Sequence, residues 1–434
     1  MMKKHHSSGG TTTSQPKDEG HGSMFRARSK LSFAHLVEMG HKMGMENPLF
    51  VCHDRAAKAT AMINGKEYLN FSTYDYLGIN AHPEITQIVA ETARVFGTSS
   101  GASRLVGGER PQHRELEKAF ARLYGVDDCI VYVSGHAANV STLGFLFNSR
   151  DAIFHDGLAH NSLVQGARLS GASRYSYIHN NCDDLEKKLK KYRRSHKHAI
   201  IVTEGLFSMD GNIPDLPRLI TLKKAYDCML LVDEAHSLGV LGKTGRGVRE
   251  YYNLNADDVD MWMSTLSKTM CGCGGFIAGN RELVEYLKYG SPGFVFSVGM
   301  PPVVAAACHK ALEIMLREPE RVERLQGISK YFLEYAQRKG LDTGAAQGYA
   351  VLPVIVGDSM VAGFLSTALF SRGIYVMPVT FPAVQEGTAR LRFFLSAVHE
   401  KEHVSRALDA VVEELPKARA IVEQYNHEHR HGQR

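Results

Sequence analysis

No stretch of this 434-residue chain reaches the roughly 18 consecutive apolar residues that a helix needs to cross a bilayer, so no transmembrane segment is expected. The N-terminus, MMKKHHSSGGTTTSQPKDEGHGSM, has no hydrophobic segment and is not a secretory signal. Its Ser, Thr, Gly and His content reads as a disordered leader or tag over residues 1–23. A large excess of one charge is also lacking: 51 Lys and Arg stand against 46 Asp and Glu, a net +5, and part of that lies in the two ends. Without an Arg/Lys stripe, nucleic-acid binding is excluded. The seven cysteines, Cys52, Cys129, Cys182, Cys228, Cys271, Cys273 and Cys308, are odd in number and scattered. That pattern argues for a reducing cytoplasm and against a disulfide framework. No internal repeat is visible.

What is present is ordinary for a soluble protein with a sizeable core: 44% hydrophobic and 22% charged residues. Length alone suggests about three average domains. Residues 31–44 read as an amphipathic arm helix, and Leu116, Phe120 and Leu123 recur at helical spacing within 112–124. Then come short apolar runs at Cys129–Val133, Ala152–Phe154, Ala199–Thr203, Met229–Asp233, Met261–Thr265 and Gly275–Ala278. Helix-like or loop-like stretches separate most of them, as expected for buried parallel strands with crossover helices. The fold class is therefore α/β, with a mainly parallel central sheet flanked by helices. Beyond about residue 310 the pattern changes: a long helix over 303–338, strand-like 349–356, a helix near 359–372, strand-like 374–379 and 390–396, and a last helix over 401–424. The expected organisation is an arm (24–75), a large domain (76–310), a smaller C-terminal α+β domain (311–424) and a tail (425–434). The HEHRH string at 427–431 is read as solvated tail rather than a metal site.

In open α/β sheets ligands sit beyond the carboxyl ends of the strands, which draws attention to three strings. In LLVDEAHSLG (230–239), Asp233 ends an apolar strand and can hold a cationic ring nitrogen, or simply cap the next turn. In TLSKTMCGCGGFIAG (265–279), Lys268 lies between a strand and a glycine-rich turn. It suits a Schiff-base lysine, although a solvated surface lysine is the commoner outcome. The Cys271/Cys273 pair lacks a second ligand pair, so no metal is expected. In EGLFSMDGNIPDL (204–216), Ser208 again follows a strand. Together Ser208, Asp233, His236 and Lys268 suit pyridoxal phosphate: a lysine for the aldehyde, an acid for the pyridine nitrogen, and donors for the phenolic oxygen. Two other signals fail. Leu241-Gly242-Lys243-Thr244 ends like a P-loop, but its first glycine would fall at Ser237. The glycines of 97–108 do not follow a strand, so they are no dinucleotide fingerprint.

With these strings in place, the sequence resembles the α-oxoamine synthases, a branch of the fold-type I pyridoxal phosphate enzymes. The resemblance runs from about residue 68 to 412 and rests on nine ordered motifs: YDYLG (74–78), HRELEKAFARLYG (113–125), SGHAAN (134–139), HNSLVQGARLSGA (160–172), EGLFSMDG (204–211), VDEAHSLGVLGKTGRGV (232–248), TLSK (265–268), FSVGMPP (296–302) and RLRFFLSAVH (390–399). It implies that Lys268 bonds the cofactor aldehyde, Asp233 pairs with the pyridinium and His160 stacks on the ring. Ser208 and His236 would face the phenolic oxygen. Thr265, with Ser134 and the backbone at Gly135 and His136, would cradle the phosphate. Phe296 and Ser297 would reach the neighbouring subunit's phosphate, which implies a homodimer with shared sites. Arg392 would bind the amino-acid carboxylate, with Tyr74 beside the substrate.

The implied reaction is a decarboxylative condensation of a small amino acid with an acyl thioester, on coenzyme A or an acyl carrier protein, giving an α-amino ketone. Many family members carry asparagine at the position of Tyr74, and others often carry an aromatic at that of His136. The Tyr74 pattern and the GASRLVGGERP stretch (101–111) are more similar to serine palmitoyltransferase-like and polyketide-associated members, which favours serine and a long acyl chain. Alanine, glycine and cysteate stay open as amino acids. The alternatives are an 8-amino-7-oxononanoate synthase of biotin biosynthesis, using alanine and a pimeloyl thioester, and a cofactor-binding regulatory subunit without activity. The presence of Lys268, Asp233, His160 and Arg392 argues against the last.

Overall fold

The computed structural model describes residues 49–430 together with Glu38 and His41. The expected leader and most of the expected arm, including nearly all of the helix over 31–44, lie outside the described residues. From the start of the described body, Asn64 and Gly65 take φ of 50° and 71°. They turn a hairpin between β1 (Thr60–Ile63) and β2 (Lys66–Asn70). Asn-Gly is the pair that the tight turn between twisted strands demands, since both residues need positive φ.

The central sheet uses β3 (Asp128–Tyr132), β4 (Ala152–Asp156), β5 (Ser173–Tyr177), β6 (Ala199–Glu204), β7 (Met229–Asp233), β8 (Met261–Thr265) and β9 (Gly275–Gly279). Their order is β3-β9-β8-β7-β6-β4-β5. The sheet is mainly parallel, with β9 alone antiparallel to its neighbours β3 and β8. Every residue of β4, β6, β8 and β9 is buried, as both faces are covered by helices. The edge strand β5, sequence SRYSY, alternates half-buried and exposed residues up to the buried Tyr177 and pairs, among the described strands, with β4. Its polarity hid it from a search for apolar runs.

Beyond the sheet, β10 (Val351–Gly357), β11 (Ile374–Tyr375), β12 (Met377–Val379) and β13 (Ala389–Phe394) build the smaller layers. One sheet has the order β10-β13-β12, and β11 joins the hairpin as β1-β2-β11. The single strand expected over 374–379 is thus two, split at Val376 and serving different sheets. The long helix expected over 303–338 is also two, Pro302–Arg317 and Glu320–Arg338. Pro319 forces the break: Glu318 before it adopts ψ 61°, outside the helical well. The expected boundary at 310/311 falls inside the first of these helices, which packs on helices Pro83–Phe96 and Pro111–Tyr124. The last helix runs Lys401–Arg430, so residues 425–430 of the expected tail are helical. No helix among the described residues is long and apolar enough to cross a membrane.

One hydrophobic core runs from Leu69 on β2 through the large sheet to Val422 on the last helix. Near its centre Trp262 is fully buried and stacks on Tyr124 with ring centroids 5.3 Å apart. Trp262→Ala removes a large side chain from close-packed surroundings and is expected to cost about 3–5 kcal/mol. A shift of the urea midpoint of that size checks it; a change below about 1 kcal/mol would mean that the cavity collapses freely.

Candidate active site

The carboxyl ends of β6, β7 and β8 open onto a cavity of about 260 Å³. Ser134, Gly135, His136, His160, Asp233, His236, Thr265 and Lys268 all line it. Eight sequence-identified residues, spread over 135 positions of chain, therefore meet in one pocket.

Asp233 is the last residue of β7 and is buried. Its carboxylate accepts the Ala235 backbone N–H and the Asn139 Nδ2–H, each at 2.9 Å. The same amide nitrogen donates to Ser162 Oγ at 2.9 Å, and that hydroxyl meets His160 Nδ1 at 2.7 Å. Nδ1 also accepts the Ser162 backbone N–H, so it acts as an acceptor and the ring proton sits on Nε2. His160 is the N-cap of helix Asn161–Leu169. Burial pushes its imidazole below the ordinary histidine range, against the pull of the Asp233 charge.

His236 is held from behind. Tyr76, fully buried, lies 2.6 Å from His236 Nδ1. Burial raises the Tyr76 phenol, so it keeps its proton and donates it. The His236 proton is thereby fixed on Nε2. Burial first, then the charges of Lys268 and Arg392, push this imidazole well below its usual value, and it stays neutral.

Lys268 follows β8 in a turn closed by the Leu266 N–H donating to the Gly274 carbonyl at 2.8 Å. Its ammonium is buried, and burial lowers it to about 8, with Asp233 and Glu204 pulling the other way. Tyr74 lies over it, with Nζ 5.8 Å from the ring centroid. Opposite, Ser134 caps helix Gly135–Leu146, accepting the Ala137 N–H at 3.0 Å. The start of that helix presents N–H groups suited to an anion. Gly135 is required there: a Cβ would stand 2.8 Å from the Thr265 Cβ. Thr265 Oγ1 and Ser267 Oγ, 2.7 Å apart, complete this end of the cavity.

Arg392 on β13 donates to the Ser208 carbonyl at 3.1 Å and lies over the Phe394 ring at 4.6 Å. Its Nε is buried without a partner among the described residues. The contact joins Ser208 to Arg392, and neither residue is among those lining the cavity. Phe296 and Ser297 are not brought to the cavity; Phe296 is 84% exposed. Sequence reasoning assigned no role to Asn139, Ser162, Glu204 or Tyr76, all of which lie in or behind the pocket. Two of them had a legible signal: Glu204 ends an otherwise apolar strand, and Asn139 closes the SGHAAN string.

A flat ring with an anionic tail fits this donor set. Imidazoles line the walls, together with a carboxylate, hydroxyls and a helix start, and Asn139 Oδ1 is buried without a partner among the described residues. Residues 66–411 match the family model of aminotransferase class I and II. The chain is 40% identical over 350 residues to 8-amino-7-oxononanoate synthase of Symbiobacterium thermophilum, covering 81% of this chain and 89% of that protein. This chain belongs to the α-oxoamine synthase family. As an α-oxoamine synthase it is a pyridoxal phosphate-dependent enzyme of fold type I. A second relative is 4-hydroxy-2,2'-bipyrrole-5-methanol synthase PigH of Serratia sp., 39% identical over 373 residues, or 85% of this chain. This chain spans 56% of the length of PigH. Among solved structures, serine palmitoyltransferase of Sphingomonas wittichii superposes with a TM-score of 0.84 at 28% identity, covering 94% of this synthase and 100% of that chain.

Proposed function

We propose that this synthase joins a small amino acid to an acyl thioester with loss of carbon dioxide and release of the thiol, giving an α-amino ketone. The observation that carries the reading is the convergence of Lys268, Asp233, His160 and His236 on one cavity, with Arg392 tied to Ser208 beside it. Bound there, pyridoxal phosphate supplies an aldehyde for an amine to join and an electron-withdrawing ring that accepts charge from the amino-acid Cα. Thr265, Ser134 and the backbone at Gly135 and His136 hold its phosphate. Asp233 pairs with the ring nitrogen, and His160 lies on the ring face. His236, its Nε2 proton fixed by Tyr76, donates to the phenolic oxygen, with Ser208 nearby. Arg392 orients the substrate carboxylate, and Tyr74 lies beside it. Lys268 would join the cofactor aldehyde and, once free, would take the Cα proton; its lowered proton affinity keeps a useful fraction of the amine neutral near pH 8. The enzyme acts as a cytoplasmic homodimer in which Phe296 and Ser297 of each chain reach the other chain's phosphate site.

For the substrates, similarity favours alanine and a pimeloyl thioester, because relatives named 8-amino-7-oxononanoate synthase are 35–40% identical over most of both chains. Serine with a long acyl chain is the second reading, supported by Tyr74 over Lys268 and by the likeness to serine palmitoyltransferases. Visible-spectrum titration with alanine, serine, glycine and cysteate, followed by thiol-release assays with pimeloyl and long-chain thioesters, separates the two. Absence of thiol release and carbon dioxide with every pair would refute the condensation itself.

Two further results are expected. Arg392→Lys keeps the charge but loses the planar fork, so KM for the amino acid rises about 10- to 100-fold while cofactor binding is unchanged. Equal KM values would remove Arg392 from the carboxylate site. The second concerns pH. An amine attacks an aldehyde only when neutral, so recombination of the apoprotein with cofactor speeds up as pH rises and levels off above about 8. Stopped-flow absorbance between pH 6 and 10 reads this; a rate still climbing steeply at 10 would contradict the burial of Lys268.

A further inference from the structure

Glu204 is the last residue of β6, a strand buried along its whole length. Register sets it beside Asp233 on β7, so two carboxyl groups enter one cavity from neighbouring strands. Their attachments differ. Asp233 is held by Asn139 and the Ala235 N–H. Glu204 Oε1 instead accepts the backbone N–H of His160 at 2.6 Å, bridging 44 residues of chain. The imidazole of His160 is fixed separately by Ser162. Main chain and ring of the same residue are thus pinned by two different groups, and Glu204 ties its main chain to the central sheet.

We propose that Glu204 is a positioning residue which, through the main-chain hydrogen bond, sets the height of His160 over the cofactor ring. This rests on the reading of His160 as the residue lying on that ring. Burial, with the Asp233 charge beside it, pushes the Glu204 carboxyl well above the ordinary range. Glu204 serves here as an acceptor through a single oxygen, which glutamine can mimic closely, whereas alanine removes the acceptor and leaves the His160 N–H without that partner.

The test uses full-length apoprotein from wild type, E204Q, E204A, H160A and the E204A/H160A double variant. Pyridoxal phosphate affinity is measured by fluorescence quenching, the visible circular dichroism of the bound cofactor is recorded, and KM and kcat are determined. E204A is expected to bind the cofactor about tenfold more weakly with reduced dichroism, as the loss of one buried hydrogen bond implies. E204Q is expected to stay within about threefold of wild type. In the H160A background the E204A effect should shrink to below about twofold, because a residue acting through His160 has nothing left to position. Wild-type affinity and dichroism in E204A would overturn the proposal. So would E204Q as impaired as a missing acceptor, or an undiminished E204A effect without the imidazole. Should E204A fail to fold, the near-native expectation for E204Q still stands or falls alone. H160A binding cofactor like wild type would instead sink the ring-stacking reading, which separates the two failures.

Discussion

Lys268→Ala is expected to abolish covalent, borohydride-reducible attachment of the cofactor and to lower turnover by about 10³-fold or more. Two losses combine. The variant has no amine to join the aldehyde, and no base remains at the amino-acid Cα, where a positioned acid–base group contributes about 10²–10⁴-fold. The fold should survive, because among the described residues no carboxylate forms a salt bridge with Lys268, and its removal relieves a desolvated charge. Intact mass after borohydride reduction reads the first effect: the wild-type chain gains the reduced cofactor and the variant does not. Single-turnover thiol release reads the second. Reducible attachment in the variant would move the reactive lysine elsewhere, and full turnover would end the assigned role of Lys268.

Asp233→Ala is the second large effect. A buried hydrogen bond to a charged partner contributes about 1.5–3 kcal/mol, so cofactor affinity should fall about 10- to 100-fold. Cα proton exchange in deuterated water should fall further, since the variant lacks the carboxylate proposed to keep the ring nitrogen protonated and electron-accepting. The alanine variant also strands one N–H of the Asn139 amide and the Ala235 N–H, costing about 1–3 kcal/mol of stability. Asp233→Asn separates these effects: it preserves shape, binds cofactor more nearly normally, and should still exchange the Cα proton slowly. Proton NMR of the amino acid measures this without any thioester, so the substrate question does not enter. Wild-type exchange in Asp233→Asn would show that the ring-nitrogen partner is another group.

The strands of the large sheet were legible because burial on both faces leaves little but apolar residues between polar ends. The strand-end rule then pointed to Asp233, His236 and Lys268 before any packing was known. Edge strand β5 was not legible, since a half-exposed strand tolerates Ser, Arg and Tyr. The break at Pro319 was legible in principle: the proline is in the sequence, and the apolar periodicity on either side masked it. The substrate question was drawn by motif resemblance toward serine and long chains. Overall similarity pulls it toward the 8-amino-7-oxononanoate synthases, because Tyr74 is one side chain among many that shape a binding site.

What the sequence by itself determined is the class of chemistry: which residue types stand at strand ends, and in what order. Only the tertiary structure decided which of those groups are neutral and where their protons lie. Burial lowers Lys268 and both imidazoles and raises Tyr76 and Glu204. The partners that fix the ring protons, Tyr76 for His236 and Ser162 for His160, lie 160 residues away in one case and two in the other. Desolvation and hydrogen-bond direction belong to the packed cavity, and no order of residues along a chain specifies them before the strands meet.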